Sequence, residues 1–202
     1  TGIGGTVCDI ESLPFLEAMR QFVLTIGKRN AVIVHLTLVP FIRSAGELKT
    51  KPTQHSVKML LELGIQPDIL LCRADRPLPR SIKEKIGLFC NVQPELVIEA
   101  LDVDTIYEVP IEYRKEEFDR KVVNLLHMRP KDAEIDRWAK ILKRIKEPKH
   151  ELEIGLCGKY AEYHDAYKSI IEAFAHAGGE NNARVKLDWI HSEDIEKHGA
   201  AK

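Results

Sequence analysis

Apolar residues along this chain switch repeatedly between helical and strand spacing, and the switches lay out an ordered series of elements. Ser12 and Pro14 open a helical stretch in which Phe15, Leu16, Met19, Phe22 and Val23 fall near one face. Ala31 to Val39 is then almost continuously apolar and β-branched, the pattern of a parallel strand covered on both faces. A polar loop runs to Thr53. Helical spacing returns in Val57, Leu60 and Leu61 and stops at Gly64, after which Ile69 to Cys72 reads as a second buried strand. Ser81 is placed to cap a third helix with Ile82, Ile86 and Phe89 inward, and Leu96 to Leu101 gives a third strand. The alternation predicts an α/β layered fold.

From Arg114 to Lys149 the charge density rises and the stripes are helical, notably Ile135, Trp138, Ile141, Leu142 and Ile145, which predicts a helical connector. After Pro148 the pattern restarts with a strand from Leu152 to Cys157, a helix from Asp165 closed by Gly178 and Gly179, and a strand from Arg184 to Ile190 with Trp189 alternating inward beside Val185 and Leu187. We therefore expect a first domain over residues 1–125, a connector over 126–150 and the opening βαβ of a second domain over 151–202. One βαβ unit of roughly 50 residues cannot bury both faces of a sheet. Thr1 also stands directly before a Gly-Gly turn with no strand leading into it. The expectation is a sequence interior to a longer chain at both ends, leaving an exposed apolar sheet edge and poor solubility.

Composition narrows the function classes. With 44 % hydrophobic and 30 % charged residues the chain has a globular composition, and 30 Lys and Arg against 31 Asp and Glu give a net charge of -1. No global field draws it to nucleic acid or anionic membrane, so neither is expected as a partner and any anion site must be local. No apolar run approaches the ~18 residues needed to span a bilayer, and a cytoplasmic location is expected. Cys8, Cys72, Cys90 and Cys157 form no CxxC pair and read as buried thiols; His35, inside an apolar strand, reads as a hydrogen-bonded core histidine.

Two clusters carry candidate chemistry. In Gly46-Glu47-Leu48-Lys49-Thr50-Lys51-Pro52-Thr53-Gln54, extended backbone puts Lys49 and Lys51 on one side, just ahead of a helix start whose free amides suit an anion. A triphosphate cradle and a solvated loop with a threonine cap both fit that spacing. In Gly4-Gly5-Thr6-Val7-Cys8-Asp9-Ile10-Glu11-Ser12, glycines permit a tight turn and two carboxylates stand two residues apart. They are able to accept hydrogen bonds from amino or hydroxyl groups, to hold Mg²⁺, or only to complement a helix dipole.

Taken in order, GGTVCDIESLPFLEA, GELKTKPTQHSVK, GIQPDILLCRADRPLP, KEKIGLFCNV, DVDTIYEVP and GLCGKYAEYHDAYKSIIEAF resemble the CTP synthase family over essentially the whole chain outside about Glu112 to His150. The resemblance implies the C-terminal part of a parallel-sheet, phosphate-loop-type amidoligase domain, then the connector, then the start of a flavodoxin-like class I glutaminase domain. It implies an ATP-dependent ligase that phosphorylates O4 of UTP and lets ammonia from glutamine displace the phosphate, giving CTP. Mg²⁺ is implied as cofactor, GTP as an allosteric activator, and a homotetramer with nucleotide sites at subunit contacts.

Carried over by position, Asp9, Ile10 and Glu11 match the segment that meets CTP, and Lys49, Thr50, Lys51, Pro52, Thr53 and Gln54 match the segment shared by UTP and CTP. Lys85 matches a further lysine of that pocket, and both clusters are expected to converge on one pyrimidine triphosphate. Leu101, Asp102 and Val103 match a segment near ATP, with Leu101 standing where relatives often carry a polar or basic residue. Gly158, Lys159 and Tyr160 match the start of the glutaminase domain without a chemical role. Gly2 stands where the family carries a metal-binding Glu, so no metal residue is assigned. Cys8 stands where relatives carry glycine, which strains the turn if it needs positive φ. No GxxxxGK[ST] loop and no class I glutaminase nucleophile motif occur in this sequence, so the catalytic residues are unknown and this chain alone is expected to be inactive. The alternative is a non-catalytic pyrimidine-nucleotide-binding module or sensor. A dethiobiotin-synthetase-like enzyme is disfavoured by KTKPTQ and the GKY connector.

Overall fold

The computed structural model describes residues 1–7 and 9–199, which form two compact units, Thr1–Asp132 and Ala133–Lys202. In the first unit, α1 (Leu13–Ile26) leads to a three-stranded parallel sheet of order β1-β4-β5, built from β1 (Val34–Leu38), β4 (Ile69–Ala74) and β5 (Val97–Leu101). Between β1 and β4 lie a small antiparallel pair, β2 (Phe41–Ile42) and β3 (Glu47–Leu48), and then α2 (Lys51–Glu62). α3 (Arg80–Cys90) joins β4 to β5, and α4 (Val109–Lys115) and α5 (Phe118–Leu125) follow.

The central strand β4 explains how the layers hold. Its side chains alternate, so Leu70, Cys72 and Ala74 pack with Val57 of α2 and Ile86 of α3 on one face. Ile69 and Leu71 pack with Ile98 and with Tyr113, Phe118, Val122 and Leu125 of α4 and α5 on the other. Each fully buried Leu or Ile contributes about 1.5–3 kcal/mol. The prediction that β1 is covered on both faces is corrected. Val34, Leu36 and Leu38 share the register face of Ile69 and Leu71, but α4 and α5 lie over β4 and β5, and Leu36 is left 60 % exposed.

Other expectations shift in detail. In α1, Leu16 is buried against Leu60 and Ile65, whereas Phe15 and Phe22 are exposed; they sit about 100° and about 120° round the helix from Leu16. α3 starts at Arg80 after Pro79, so Ser81 is not the cap, and Phe89 points outward while Ile86 is buried. The loop to Thr53 contains the β2–β3 hairpin, turned at Gly46 with φ +63, and α2 begins at Lys51.

His35 is the hydrogen-bonded core histidine expected: its Nε2 lies 2.9 Å from Ser56 Oγ, and burial pushes its pKa down. A base with a lowered folded pKa binds fewer protons folded than unfolded. Stability is therefore full above the unfolded value of about 6.5 and falls as pH drops through it towards the folded value. The urea midpoint should decline on acidification over that window and decline less in His35→Gln; equal slopes in the two proteins would remove His35 as the source.

The second unit begins with α6 (Ile135–Lys146) and contains a parallel pair, β6 (His150–Gly158) and β7 (Ala183–His191), joined through α7 (Lys168–Asn181); α8 (Ser192–His198) follows. The predicted βαβ is present. Gly178 and Gly179, however, lie inside α7, and Asn182 in the left-handed region ends it. A Cβ at Gly178 would meet Ala183 O at 2.4 Å and one at Gly179 would meet Ile145 Cγ1 at 2.9 Å, so these glycines permit close packing. Trp189 faces inward as expected, stacked on His164 with ring centroids 4.4 Å apart. Cys72 and Cys90 are buried thiols, pushed up to about 11 by burial, whereas Cys157 is exposed, against expectation; Cys8 lies outside the described residues.

Candidate functional site

The lysine cluster sits at the C-terminal edge of the parallel sheet, where open α/β sheets receive their ligands. Its placement follows from how α2 is fastened. Thr53 is fully buried and its hydroxyl donates to Leu38 O, at 3.0 Å, with Thr37 Oγ1 also within 3.0 Å. The Lys49 amide donates to Pro40 O, at 2.9 Å. These bonds pin the N-terminus of α2 to the end of β1. The first intrahelical bond runs from the Gln54 amide to Thr50 O, leaving the Lys51 and Thr53 amides ahead of it, and Pro52 has no amide hydrogen. Lys51 projects into solvent with no ion pair among the described residues. Thr50 is buried with its hydroxyl accepting from Gln54 Nε2, at 3.0 Å. Of this segment, then, Lys51 is exposed and Lys49 half-buried, while the hydroxyls of Thr50 and Thr53 hold the scaffold.

Glu47 was not singled out from sequence, yet it organises the cluster. Its carboxylate is ion-paired with Lys49, which holds it below the usual carboxylate range, and the charge of Lys85 on α3 acts in the same direction. Leu48, Val57 and Ile86 share one core cluster, which explains how β3, α2 and α3 bring Glu47, Lys49 and Lys85 into one neighbourhood. The signal available in sequence was a carboxylate two residues before a lysine in an extended segment, which places both on one side.

The acidic turn is built by its own residues. Asp9 Oδ2 accepts from the Thr6 amide at 2.6 Å, Ser12 Oγ donates to Asp9 O at 2.9 Å, and Gly5 takes φ +84. A Cβ at Gly5 would lie 2.8 Å from Asp9 Oδ2, so glycine is required. Ile10 is 85 % exposed and Glu11 is exposed, beside a cavity of about 520 Å³ lined by Gly2, Gly4, Gly5, Asp9, Glu11 and Phe15 among others. Gly2 offers no side-chain ligand, Asp9 Oδ2 accepts from the Thr6 amide, and no cluster of three His, Cys, Asp or Glu suited to a metal occurs among the described residues.

The two clusters expected to converge on one pyrimidine triphosphate lie towards opposite ends of α2 in this chain. Ile3 and Val7 pack with Leu16, Leu60, Ile65 and Ile33, which fastens the acidic turn to the C-terminal end of α2 and the N-terminal edge of the sheet. α2 runs the other way, so the nine residues from Lys51 to Leu60 set Lys51 on the order of 14 Å along the helix from the turn's packing contact. At the lysine edge instead are Leu101, Asp102 and Val103 at the end of β5: the Asp102 amide donates to Ala74 O, at 3.0 Å, and its carboxylate takes the Arg73 guanidinium, at 2.7 Å. Arg76 stacks over Phe41 at 3.4 Å from the ring centre, at the same end of β4. No helix of the described residues is long and apolar enough to cross a membrane.

Comparison with known proteins identifies the family. Residues 1–128 match the family model described as CTP synthase N-terminus. A CTP synthase of Chloroherpeton thalassium is 59 % identical over 199 residues, covering 98 % of this chain and 36 % of the relative. One of Azospirillum brasilense is 55 % identical over 202 residues, covering 99 % of this chain and 37 % of the relative. One of Methanocaldococcus jannaschii is 54 % identical over 194 residues, covering 96 % and 36 %. The chain thus spans a little over a third of the length of the curated relatives it matches. Both the family model and the near-complete coverage of this chain include every candidate nucleotide residue from Asp9 to Val103, and the chain belongs to the CTP synthase family.

Proposed function

We propose that this chain carries the α2-mouth and acidic-turn elements of the pyrimidine-nucleotide site, part of the ATP site and the opening βαβ of the class I glutaminase domain of a CTP synthase. In that reading the complete enzyme uses ATP to activate O4 of UTP and aminates it with ammonia from glutamine, in the cytoplasm. The observation that carries the reading is the cationic mouth of α2 at the C-terminal edge of the sheet, where Lys49, Lys51 and Lys85 gather around the helix start. Phosphate oxygens are the complement of that set, through charge-assisted hydrogen bonds and the helix dipole. Asp102, now held by Arg73, is available at the same edge for ATP once that surface pair exchanges for ligand.

The acidic turn takes a different part. Glu11 and Ile10 present an exposed acceptor and an apolar face suited to the amino group and ring of CTP. Its distance from Lys51 within one chain supports the homotetramer that the resemblance implies, with the turn of one subunit meeting the α2 mouth of another. Calorimetry of the chain with UTP, CTP and ATP tests the assignment. Heat of CTP and UTP binding that disappears in Lys51→Ala supports it, binding without turnover being the behaviour of the non-catalytic module. Nucleotide binding that is indifferent to Lys51 would remove the triphosphate role.

A further inference from the structure

A basic cavity lies at the opposite end of the sheet from the lysine cluster. It has a volume of about 430 Å³, within the range of small-molecule sites, and opens where the chain enters β1, β4 and β5. Its floor is apolar and fixed: Val32, Leu96 and Leu125 pack against the core formed by Ile69, Leu71, Ile98 and Ala100. Its rim is cationic. Lys28, Arg29, Lys121 and His127 line it, with Asp68 as the one lining carboxylate.

The carboxylate does not neutralise the rim. Asp68 Oδ2 already accepts from the Ile33 amide at 2.8 Å, and Lys28 Nζ lies 3.0 Å from it, so Asp68 serves the entry to β1 and its charge is matched by Lys28. Lys121 donates to Glu116 O, at 2.7 Å, which orients its ammonium without removing its charge. Arg29 has no ion pair among the described residues, and the carboxamides of Gln93 and Asn124 on the same rim have no hydrogen bond there. Lys28, Arg29 and Lys121 against Asp68 give these side chains two net positive charges, which matches a phosphate monoester dianion.

We propose that this cavity binds a small organic phosphate, its apolar body on the Val32, Leu96 and Leu125 floor and its phosphate against Arg29 and Lys121. The site stands apart from the residues assigned to UTP, CTP and ATP and does not depend on that assignment. Phenyl phosphate joins an aromatic ring to a phosphate dianion, and inorganic phosphate and phenol supply each half alone. Titrated into the full chain and followed by amide NMR shifts at Asn124, Leu125 and His127, phenyl phosphate should saturate about tenfold more tightly than either half. Arg29→Glu should weaken it by at least about tenfold, and Asn124→Asp, on an exposed position, should weaken it as well. Lys51→Ala should leave it unchanged, which separates this cavity from the α2 mouth. Absence of saturable shifts up to millimolar concentration overturns the proposal. So does equal affinity in wild type and Arg29→Glu, or loss confined to Lys51→Ala.

Discussion

Lys51→Ala in the complete enzyme is expected to raise the KM for UTP about ten- to a hundredfold, the loss of one charge-assisted contact of about 1.5–3 kcal/mol. The KM for ATP should stay within about twofold, because Leu101 ends β5 and the Asp102 amide is tied to Ala74 O of β4, not to α2. Lys49→Ala should act more weakly. Lys49 is ion-paired with Glu47 before any ligand arrives, so part of what it gives a phosphate is lost in leaving that partner. Glu47→Gln, by the same argument, should lower the UTP KM, since it frees Lys49 and removes an anion near Lys85. An unchanged UTP KM in Lys51→Ala, or a Glu47→Gln variant that binds UTP worse than wild type, would count against phosphate contact at the α2 mouth. Steady-state kinetics with UTP and ATP varied separately distinguishes these outcomes.

The order of elements was legible because apolar spacing records which face is buried. Leu70, Cys72 and Ala74 against Ile69 and Leu71 is alternation that only a strand packed on both sides requires. What the spacing did not carry was the identity of the cover. Leu36 is as apolar as Leu71, yet it is left 60 % exposed among the described residues, and periodicity cannot say which strand of a sheet a helix crosses. Gly178 and Gly179 misled for a related reason. Glycine ends helices by taking positive φ and enters them where another backbone approaches, and sequence shows the residue without the neighbour.

The candidate site was half legible. Lys49, Lys51 and the helix mouth follow from two-residue alternation and a proline-marked helix start. The inward hydroxyls of Thr50 and Thr53 do not, because the same residue type serves as cap, ligand or tie to β1 depending on the strand beside it. The separation of the acidic turn from that mouth was also hidden, because the direction of α2 relative to α1 depends on packing around Leu16, Leu60 and Ile65.

Gly87→Ala is expected to destabilise the first unit by about 1–2 kcal/mol, although helix propensity alone favours alanine by about 1 kcal/mol. Gly87 is buried in α3, and an added Cβ would stand 2.6 Å from Val92 O and 3.3 Å from Pro94 N. These are backbone atoms of a turn already fixed by the Val92 amide donating to Gly87 O at 3.0 Å and by Asn91 in the left-handed region. The turn cannot yield by rotating a side chain, so the clash outweighs the propensity gain and the end of α3 must move. Lys85 lies on the same helix, two residues earlier, so the UTP KM of the complete enzyme should rise together with the loss of stability. Gly2→Ala, where no atom lies within 4 Å of an added Cβ, should change the urea midpoint by no more than about 0.5 kcal/mol equivalent. A Gly87→Ala protein as stable as wild type would mean that the close approach of α3 to the Val92 turn does not constrain the fold, and with it would go the coupling of that turn to the placement of Lys85.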